Sequence, residues 1–120
     1  MSESLAVVEN YWKKEGEKDL DGILDCFHPD ATFSAPITED LRGIGALREF
    51  YTGVLDGFAN SNVTIDRSTE SGERVAAEFT LSFEQHDGAM GQASGCNVFT
   101  VRAGKIVEVR CYFDPASFSA

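Results

Sequence analysis

The chain has 120 residues, about the size of one domain, and its 42% hydrophobic residues with nine Phe favour a globular core over disorder. Acidic residues outnumber basic ones by 20 to 10, a formal net charge of -10, which disfavours nucleic acid and anionic membranes as partners because both need a basic surface. We expect no membrane helix and no signal peptide, and three cysteines without a CxxC pair predict a reduced, cytoplasmic setting.

Three helices are predicted in the first half of the chain. Apolar residues at helical spacing indicate a helix that is capped by Ser2 or Ser4 and runs to about Lys14. A second, short helix covers 19–27, with an aspartate as its cap and a His-Pro pair after it. The third covers 44–55 and ends before a glycine.

Strands dominate the rest of the chain. A short strand is predicted over 31–35, and a polar loop over 37–42 leads to the third helix. Helices followed by a run of antiparallel strands predict an α+β domain with the helices on one face of the sheet. Alternation of apolar and polar residues predicts the four later strands at roughly 62–69, 74–85, 92–102 and 105–113.

The last predicted hairpin, from Gly95 to Asp114, contains two polar residues that do not fit its apolar pattern. Asn97 falls on the apolar side of its strand. A buried amide without hydrogen bonds costs about 1–3 kcal/mol, so Asn97 is either satisfied in the core or faces a cavity. Asp114 ends the second strand before a proline, and we interpret it as a turn residue or, alternatively, as an acid–base group.

Five stretches share a pattern with a known family, and they are 7–11, 19–32, 43–51, 79–84 and 95–114. They resemble the nuclear-transport-factor-2-like superfamily, and within it the bacterial Δ5-3-ketosteroid isomerases and the SnoaL-like group. The resemblance covers nearly all of 1–120 as a single domain. It implies a cone-shaped, cystatin-like α+β fold, with three N-terminal helices packed on a curved, mostly antiparallel sheet. This fold supports several reactions and therefore does not specify one.

The resemblance implies roles for individual residues. Tyr11 matches the oxyanion-hole tyrosine of the isomerases, and Tyr51 matches a tyrosine that supports it. Asn97 stands where the isomerases have a protonated aspartic acid, and an amide there still donates a hydrogen bond. Ala35 stands where they have their aspartate base. Because alanine cannot move a proton, we do not expect steroid isomerisation by the standard route.

Three carboxylates are candidate replacements for the missing base. Glu39 and Asp40 lie in the predicted loop, and Asp114 resembles an aspartate at a strand end in SnoaL-like members. The resemblance also implies a conical apolar pocket, although each of its aromatic residues would equally fit a core. The expected lining residues are Trp12, Phe27, Phe33, Ala35, Tyr51, Phe79, Leu81, Phe83, Phe99, Val109, Cys111 and Phe113.

The sequence therefore predicts a domain that binds a small apolar ligand. If it is an enzyme, it is a cofactor-free isomerase, cyclase or lyase acting on a carbonyl compound, with Tyr11, Asn97 and Asp114 as catalytic candidates. The alternatives are a ligand-binding or accessory domain without catalysis and a structural dimer with a filled core. No cofactor and no metal site are expected, because the two histidines lack nearby ligands at metal-binding spacing. We also expect a homodimer through the sheet.

Overall fold

The structure, a computed structural model, describes residues 3–118. Three helices pack against one six-stranded sheet, as the α+β prediction requires. The helices are α1 (Glu3–Gly16), α2 (Leu20–Asp25) and α3 (Ile44–Gly57). The strands are β1 (Phe27–Ala35), β2 (Thr38–Arg42), β3 (Asn60–Ser71), β4 (Arg74–Glu84), β5 (Met90–Arg102) and β6 (Lys105–Phe113), followed by a 3₁₀ helix at Pro115–Phe118.

The sheet has the order β2-β1-β6-β5-β4-β3 and is open and curved. All neighbouring strands pair antiparallel except β1 and β6, which run parallel. The predicted mostly antiparallel sheet with three N-terminal helices is therefore confirmed. The helices cover only one face, so the side chains that point from the sheet toward the helices form the core and the walls of any cavity within it.

Helix α1 supplies aromatic side chains to this core. Tyr11 and Trp12 on its buried face are 3% and 6% exposed. The helix begins at Glu3, so Ser4 lies inside it, and the other predicted cap, Ser2, lies outside the described residues. Within residues 3–118, no helix has the length and apolar character that a membrane crossing requires.

The second helix is shorter than predicted. Asp19 caps it as expected, since its carboxylate accepts a hydrogen bond of 2.9 Å from a backbone N–H of the first turn. The helix ends at Asp25, and β1 already begins at Phe27. The reason lies in Pro29, because a proline disfavours the helical conformation for the residue before it and thereby favours extended backbone at His28.

The predicted loop over 37–42 is wrong, because Thr38–Arg42 forms the strand β2. It pairs antiparallel with β1, with Phe33 opposite Leu41. β2 is the edge of the sheet and is mostly exposed. An edge strand with solvent on most sides needs little apolar alternation, so its sequence resembles that of a loop.

Candidate functional site

A cavity of about 440 Å³ lies between the helices and the inner face of the sheet. Its size and its predominantly apolar and aromatic lining are typical of small-molecule sites. Helices α1 and α3 form one wall, and residues from five strands form the other. The lining residues are Tyr11, Trp12, Glu15, Phe33, Ala35, Ile37, Phe50, Tyr51, Gly53, Val54, Gly57, Phe58, Ser61, Val63, Phe79, Leu81, Asn97, Cys111, Phe113 and Phe118.

The structure brings most of the predicted site residues to this one cavity. Tyr11 and Asn97, both proposed from the resemblance as hydrogen-bond donors, line it from α1 and from β5. Of the expected lining side chains, those that line the cavity are Trp12, Phe33, Ala35, Tyr51, Phe79, Leu81, Cys111 and Phe113.

Three predicted lining residues instead belong to the core behind the cavity wall. Phe99 is completely buried, and its ring lies 5.8 Å from that of Tyr11 and 5.3 Å from that of Trp12. Phe27 packs edge-on against Tyr11 at 5.6 Å, and Val109 is also completely buried. Their side chains are enclosed by neighbouring residues and pack behind the lining.

Phe83 also lies behind the lining rather than in it. Its ring packs against Phe58 at 4.7 Å and against Phe118 at 5.6 Å, and both of these neighbours line the cavity. Because Phe58 follows α3 and Phe118 lies in the terminal 3₁₀ helix, this aromatic cluster joins the end of the chain to the cavity wall.

A pair of tyrosines forms the polar part of the helical wall. The hydroxyl of Tyr11 on α1 hydrogen-bonds the hydroxyl of Tyr51 on α3, and both residues are buried. Two hydroxyls carry two protons, and this bond uses one. The other O–H has no partner among the described residues and remains available to a ligand. Burial raises the pKa of both tyrosines well above its ordinary value, so they are neutral donors.

Asn97 is the polar side chain that the sheet contributes. It lies on β5 opposite Cys111 of β6 and is only 5% exposed. Its Oδ1 has no hydrogen-bond partner within residues 3–118. An unsatisfied buried acceptor costs about 1–3 kcal/mol. Of the two alternatives for Asn97, a satisfied core amide and an amide facing a cavity, the structure shows the second.

Glu15 is the charged lining residue that the sequence analysis missed. It lies one turn after Tyr11 on α1, is partly buried, and is the only carboxylate that lines the cavity in the described part of the chain. Burial raises its pKa from the usual 4.5 to about 7. The signal was present in the sequence, because residues four apart on a helix share one face and the face of Tyr11 is buried.

Cys111, across the cavity on β6, is a neutral thiol. Burial, with a further contribution from the charge of Glu15, raises its pKa to about 12. Since the thiolate is the reactive form of cysteine, this environment does not favour a nucleophilic role. Within residues 3–118, no group of three or more His, Cys, Asp or Glu side chains is arranged so that it could hold a metal ion.

The candidates for the missing base lie outside the cavity lining. Ala35 lines the cavity, whereas Glu39 and Asp40 are exposed on β2. Asp114 is also exposed, and its carboxylate accepts a hydrogen bond of 2.9 Å from the backbone N–H of Ala116. This hydrogen bond agrees with the interpretation of Asp114 as a turn residue. Its catalytic alternative requires a side chain in the cavity, and the structure does not place it there.

Comparisons with known proteins agree with this architecture. The SnoaL-like domain family model matches residues 8–109. A nuclear-transport-factor-2-like protein of Burkholderia pseudomallei is 22% identical, with both chains covered to 100% and a TM-score of 0.87. The family match therefore includes α2, α3 and the greater part of α1 and of the sheet.

Two further solved structures share the fold at similar identity. The Δ5-3-ketosteroid isomerase of a Mycobacterium species is 23% identical, covers 98% of this chain and 97% of its own, and has a TM-score of 0.84. A putative polyketide cyclase of Xanthomonas campestris pv. campestris is 21% identical. The match covers 93% of this chain and 90% of the cyclase chain, with a TM-score of 0.84. With the family match over 8–109, the chain belongs to the SnoaL-like domain family and has the nuclear-transport-factor-2-like fold.

Proposed function

We propose that the protein is a cofactor-free enzyme of the isomerase, cyclase or lyase type that binds a small, largely apolar carbonyl compound and polarises its oxygen. The observation that carries this proposal is the unused hydrogen-bonding capacity of the tyrosine pair and of Asn97 in a largely apolar cavity. Among the described residues, Tyr11 and Tyr51 together leave one O–H without a partner, and the buried Asn97 amide has an unsatisfied Oδ1.

Such donors act on charge that develops in a reaction. In a cavity that excludes water, fixed neutral donors stabilise a forming oxyanion far more than they would in solution. A carbonyl oxygen accepts from the tyrosine hydroxyl or from the Asn97 Nδ2, while a ligand hydroxyl or enol donates to Oδ1. The ketosteroid isomerase and the putative polyketide cyclase that share this fold support a ring-containing carbonyl compound as the ligand class.

One observation favours the alternative of a ligand-binding or accessory domain without catalysis. Ala35 lines the cavity where the isomerases that the chain resembles have their base. Such a domain would bind the same carbonyl compounds through the same donors and release them unchanged. Saturable binding without turnover would therefore identify the accessory role, and turnover would exclude it.

Binding can be measured with the protein's own fluorescence, because Trp12 is the only tryptophan and lines the cavity. The ketone 1-tetralone is titrated against tetralin, the hydrocarbon of the same ring system, and quenching of Trp12 is recorded. One hydrogen bond contributes about 1 kcal/mol, so the ketone should bind about five- to tenfold more tightly. The double variant Tyr11→Phe/Tyr51→Phe should lose part of this preference, and the triple variant with Asn97→Leu should lose it entirely. Equal affinity for ketone and hydrocarbon in the wild type would refute the proposal.

We further propose a homodimer through the outer face of the sheet and a cytoplasmic location. The dimer is supported by half-buried Ala76, Cys96 and Val98 at the centre of that face, and by Tyr112, which is 55% exposed. The location follows from the cysteine content alone.

A further inference from the structure

We propose that Glu15 is the general base and general acid of the cavity, and that its substrates are carbonyl compounds with an acidic C–H next to the carbonyl. The inference rests on the proposed function and deepens it. Glu15 lies on the helical wall, on α1, whereas Ala35 lies at the end of β1. The proton-transfer group would thus have a different position from the one that the resemblance implies.

The position of Glu15 relative to the donors carries the inference. Residues four apart on a helix have Cβ atoms about 5–6 Å apart, so Glu15 and Tyr11 reach the same part of the cavity from one helix face. If the carbonyl oxygen of a ligand accepts a hydrogen bond from Tyr11, the carbon atoms next to the carbonyl would therefore lie beside the Glu15 carboxylate. A general base must come within hydrogen-bond reach of the proton that it removes, and this arrangement allows it.

The carboxylate is not used for a structural contact. Glu15 has no hydrogen bond or ion pair with any of the residues 3–118. The adjacent Lys14 instead lies 3.7 Å from Glu17 and 3.9 Å from Asp19. A buried charge with a structural role is normally paired, and the partly buried Glu15 carboxylate has no such pair among the described residues. Its oxygens therefore have no competing contact that would keep them from a proton of the ligand.

The groups that surround Glu15 leave it able to gain and lose a proton near neutral pH. The titratable groups that interact with it are Tyr11 on its own helix, Tyr51 on α3 and Cys111 on β6, and all three are neutral. In the described chain no Lys, Arg or His lines the cavity. Burial therefore dominates and raises the pKa of Glu15 to about 7, where a carboxyl group serves as base and as acid in turn.

The proposed step is balanced without an oxidant, reductant or cofactor. The ionised Glu15 removes a proton from the carbon next to the carbonyl. The C–H electron pair forms a carbon–carbon double bond, and the carbonyl π pair moves to oxygen, where the Tyr11–Tyr51 pair and Asn97 stabilise the enolate. The protonated Glu15 then returns the proton to the same carbon or to a conjugated carbon, which gives exchange or isomerisation.

Hydrogen exchange of 1-tetralone in deuterated water, followed by proton NMR, tests this step. The proton signal of the hydrogens next to the carbonyl should disappear faster when wild-type protein is present. The rate of this catalysed exchange should rise as the pH passes through about 7, where Glu15 loses its proton. General bases contribute about 10²–10⁴-fold, so Glu15→Gln should reduce the acceleration at least about a hundredfold. The affinity of the Glu15→Gln protein for 1-tetralone, measured by Trp12 quenching, should stay within about twofold of the wild-type affinity. Glu9→Gln, an exposed glutamate of α1, is the matched control and should exchange like the wild type.

The outcomes separate this inference from the proposed function. If Glu15→Gln exchanges 1-tetralone as fast as the wild type, the role of Glu15 is refuted and the proposed carbonyl site stands. If the wild type prefers the ketone over tetralin but catalyses no exchange, the role of Glu15 is again refuted and the accessory domain is supported. If the wild type shows no preference for the ketone, both proposals fail.

Discussion

Glu15 lies one helical turn beyond Tyr11 on α1, and both side chains line the same apolar cavity. The tyrosine is a neutral donor, and burial raises its pKa further above neutrality, while burial raises the pKa of the glutamate to about 7. One low-dielectric environment thus produces a fixed hydrogen-bond donor and a group that titrates near neutral pH. A hydrogen-bond donor beside a carboxylate that titrates near neutral pH is the arrangement that proton transfer next to a carbonyl needs, whereas ligand binding alone would need only the donor.

The free energy of unfolding should depend on pH through Glu15. Its pKa is about 7 in the folded protein and about 4.5 when exposed, so between these values the folded state binds more protons. Stability should therefore fall as pH rises from about 4.5 to about 7. Each unit of difference in pKa between the folded and unfolded states corresponds to 1.36 kcal/mol. Because solvent partly screens the Glu15 carboxylate, we expect the free energy of unfolding to fall by less than the full shift implies, about 2 kcal/mol.

Urea unfolding at pH 5 and pH 8 checks this expectation. Glu15→Gln should remove most of the difference and should be the more stable protein at pH 8. Glu9→Gln, which changes the net charge equally, should keep the wild-type pH dependence. The same dependence in Glu15→Gln as in the wild type would show that Glu15 has an ordinary pKa.

Replacement of Asn97 by Leu should stabilise the fold and weaken ligand binding. The substitution removes a buried acceptor without a partner, so the free energy of unfolding should rise by about 1 kcal/mol and the Tm by about 4 °C. Affinity for 1-tetralone should fall several-fold. Asn62→Leu, on the exposed side of β3, is the control. It should neither stabilise the fold nor change the affinity for 1-tetralone. A destabilised Asn97→Leu protein would mean that the amide is satisfied in the fold.

A carboxylate at position 35 should add activity of a different kind. Because Ala35 lines the cavity, Ala35→Asp places a base where the resemblance to ketosteroid isomerases expects one. We predict that Ala35→Asp gains turnover of a Δ5-3-ketosteroid beyond any turnover that Glu15 supports in the wild type. The gain should survive in Ala35→Asp/Glu15→Gln. A well-folded Ala35→Asp protein without any gain would indicate that the donors are not aimed at the steroid carbonyl.

The outer face of the sheet should mediate dimerisation. Val98 lies at the centre of this face, so a charge there would be buried on association at a cost of several kcal/mol. Sedimentation equilibrium should give twice the protomer mass for the wild type and a concentration-dependent shift toward monomer for Val98→Lys. Thr52→Lys, at an exposed position of α3, serves as the control because the helices lie on the opposite side of the sheet. A monomeric wild type at micromolar concentration would refute the dimer.

Much of this architecture follows from the sequence because periodicity reports which face of an element is buried. Alternation in the final hairpin placed Asn97 on the inner face, and the structure agrees. The edge strand Thr38–Arg42 escaped prediction because solvent, rather than a core, surrounds it. Glu15 escaped because it stands in a charged stretch of the helix, where residues are usually exposed, and its burial depends on how the sheet curves around α1.

The cavity itself is not encoded in any local pattern. Phe79 and Phe99 both alternate inward on neighbouring strands, yet the first lines the cavity and the second is completely enclosed. Whether an inward aromatic residue touches a void depends on the side chains that pack against it from α1 and α3. Only the assembled fold determines which space those side chains leave unfilled.

The carbonyl stretching frequency of bound 1-tetralone tests the central claim most directly. Infrared difference spectroscopy with ¹³C=O-labelled ligand isolates this one vibration. If the Tyr11–Tyr51 pair and Asn97 donate to the oxygen, the band should lie at lower frequency than in hexane. It should return toward the hexane value in Tyr11→Phe/Tyr51→Phe. A band at the hexane frequency in the wild type would contradict the account, because the ligand would then occupy the cavity without being polarised.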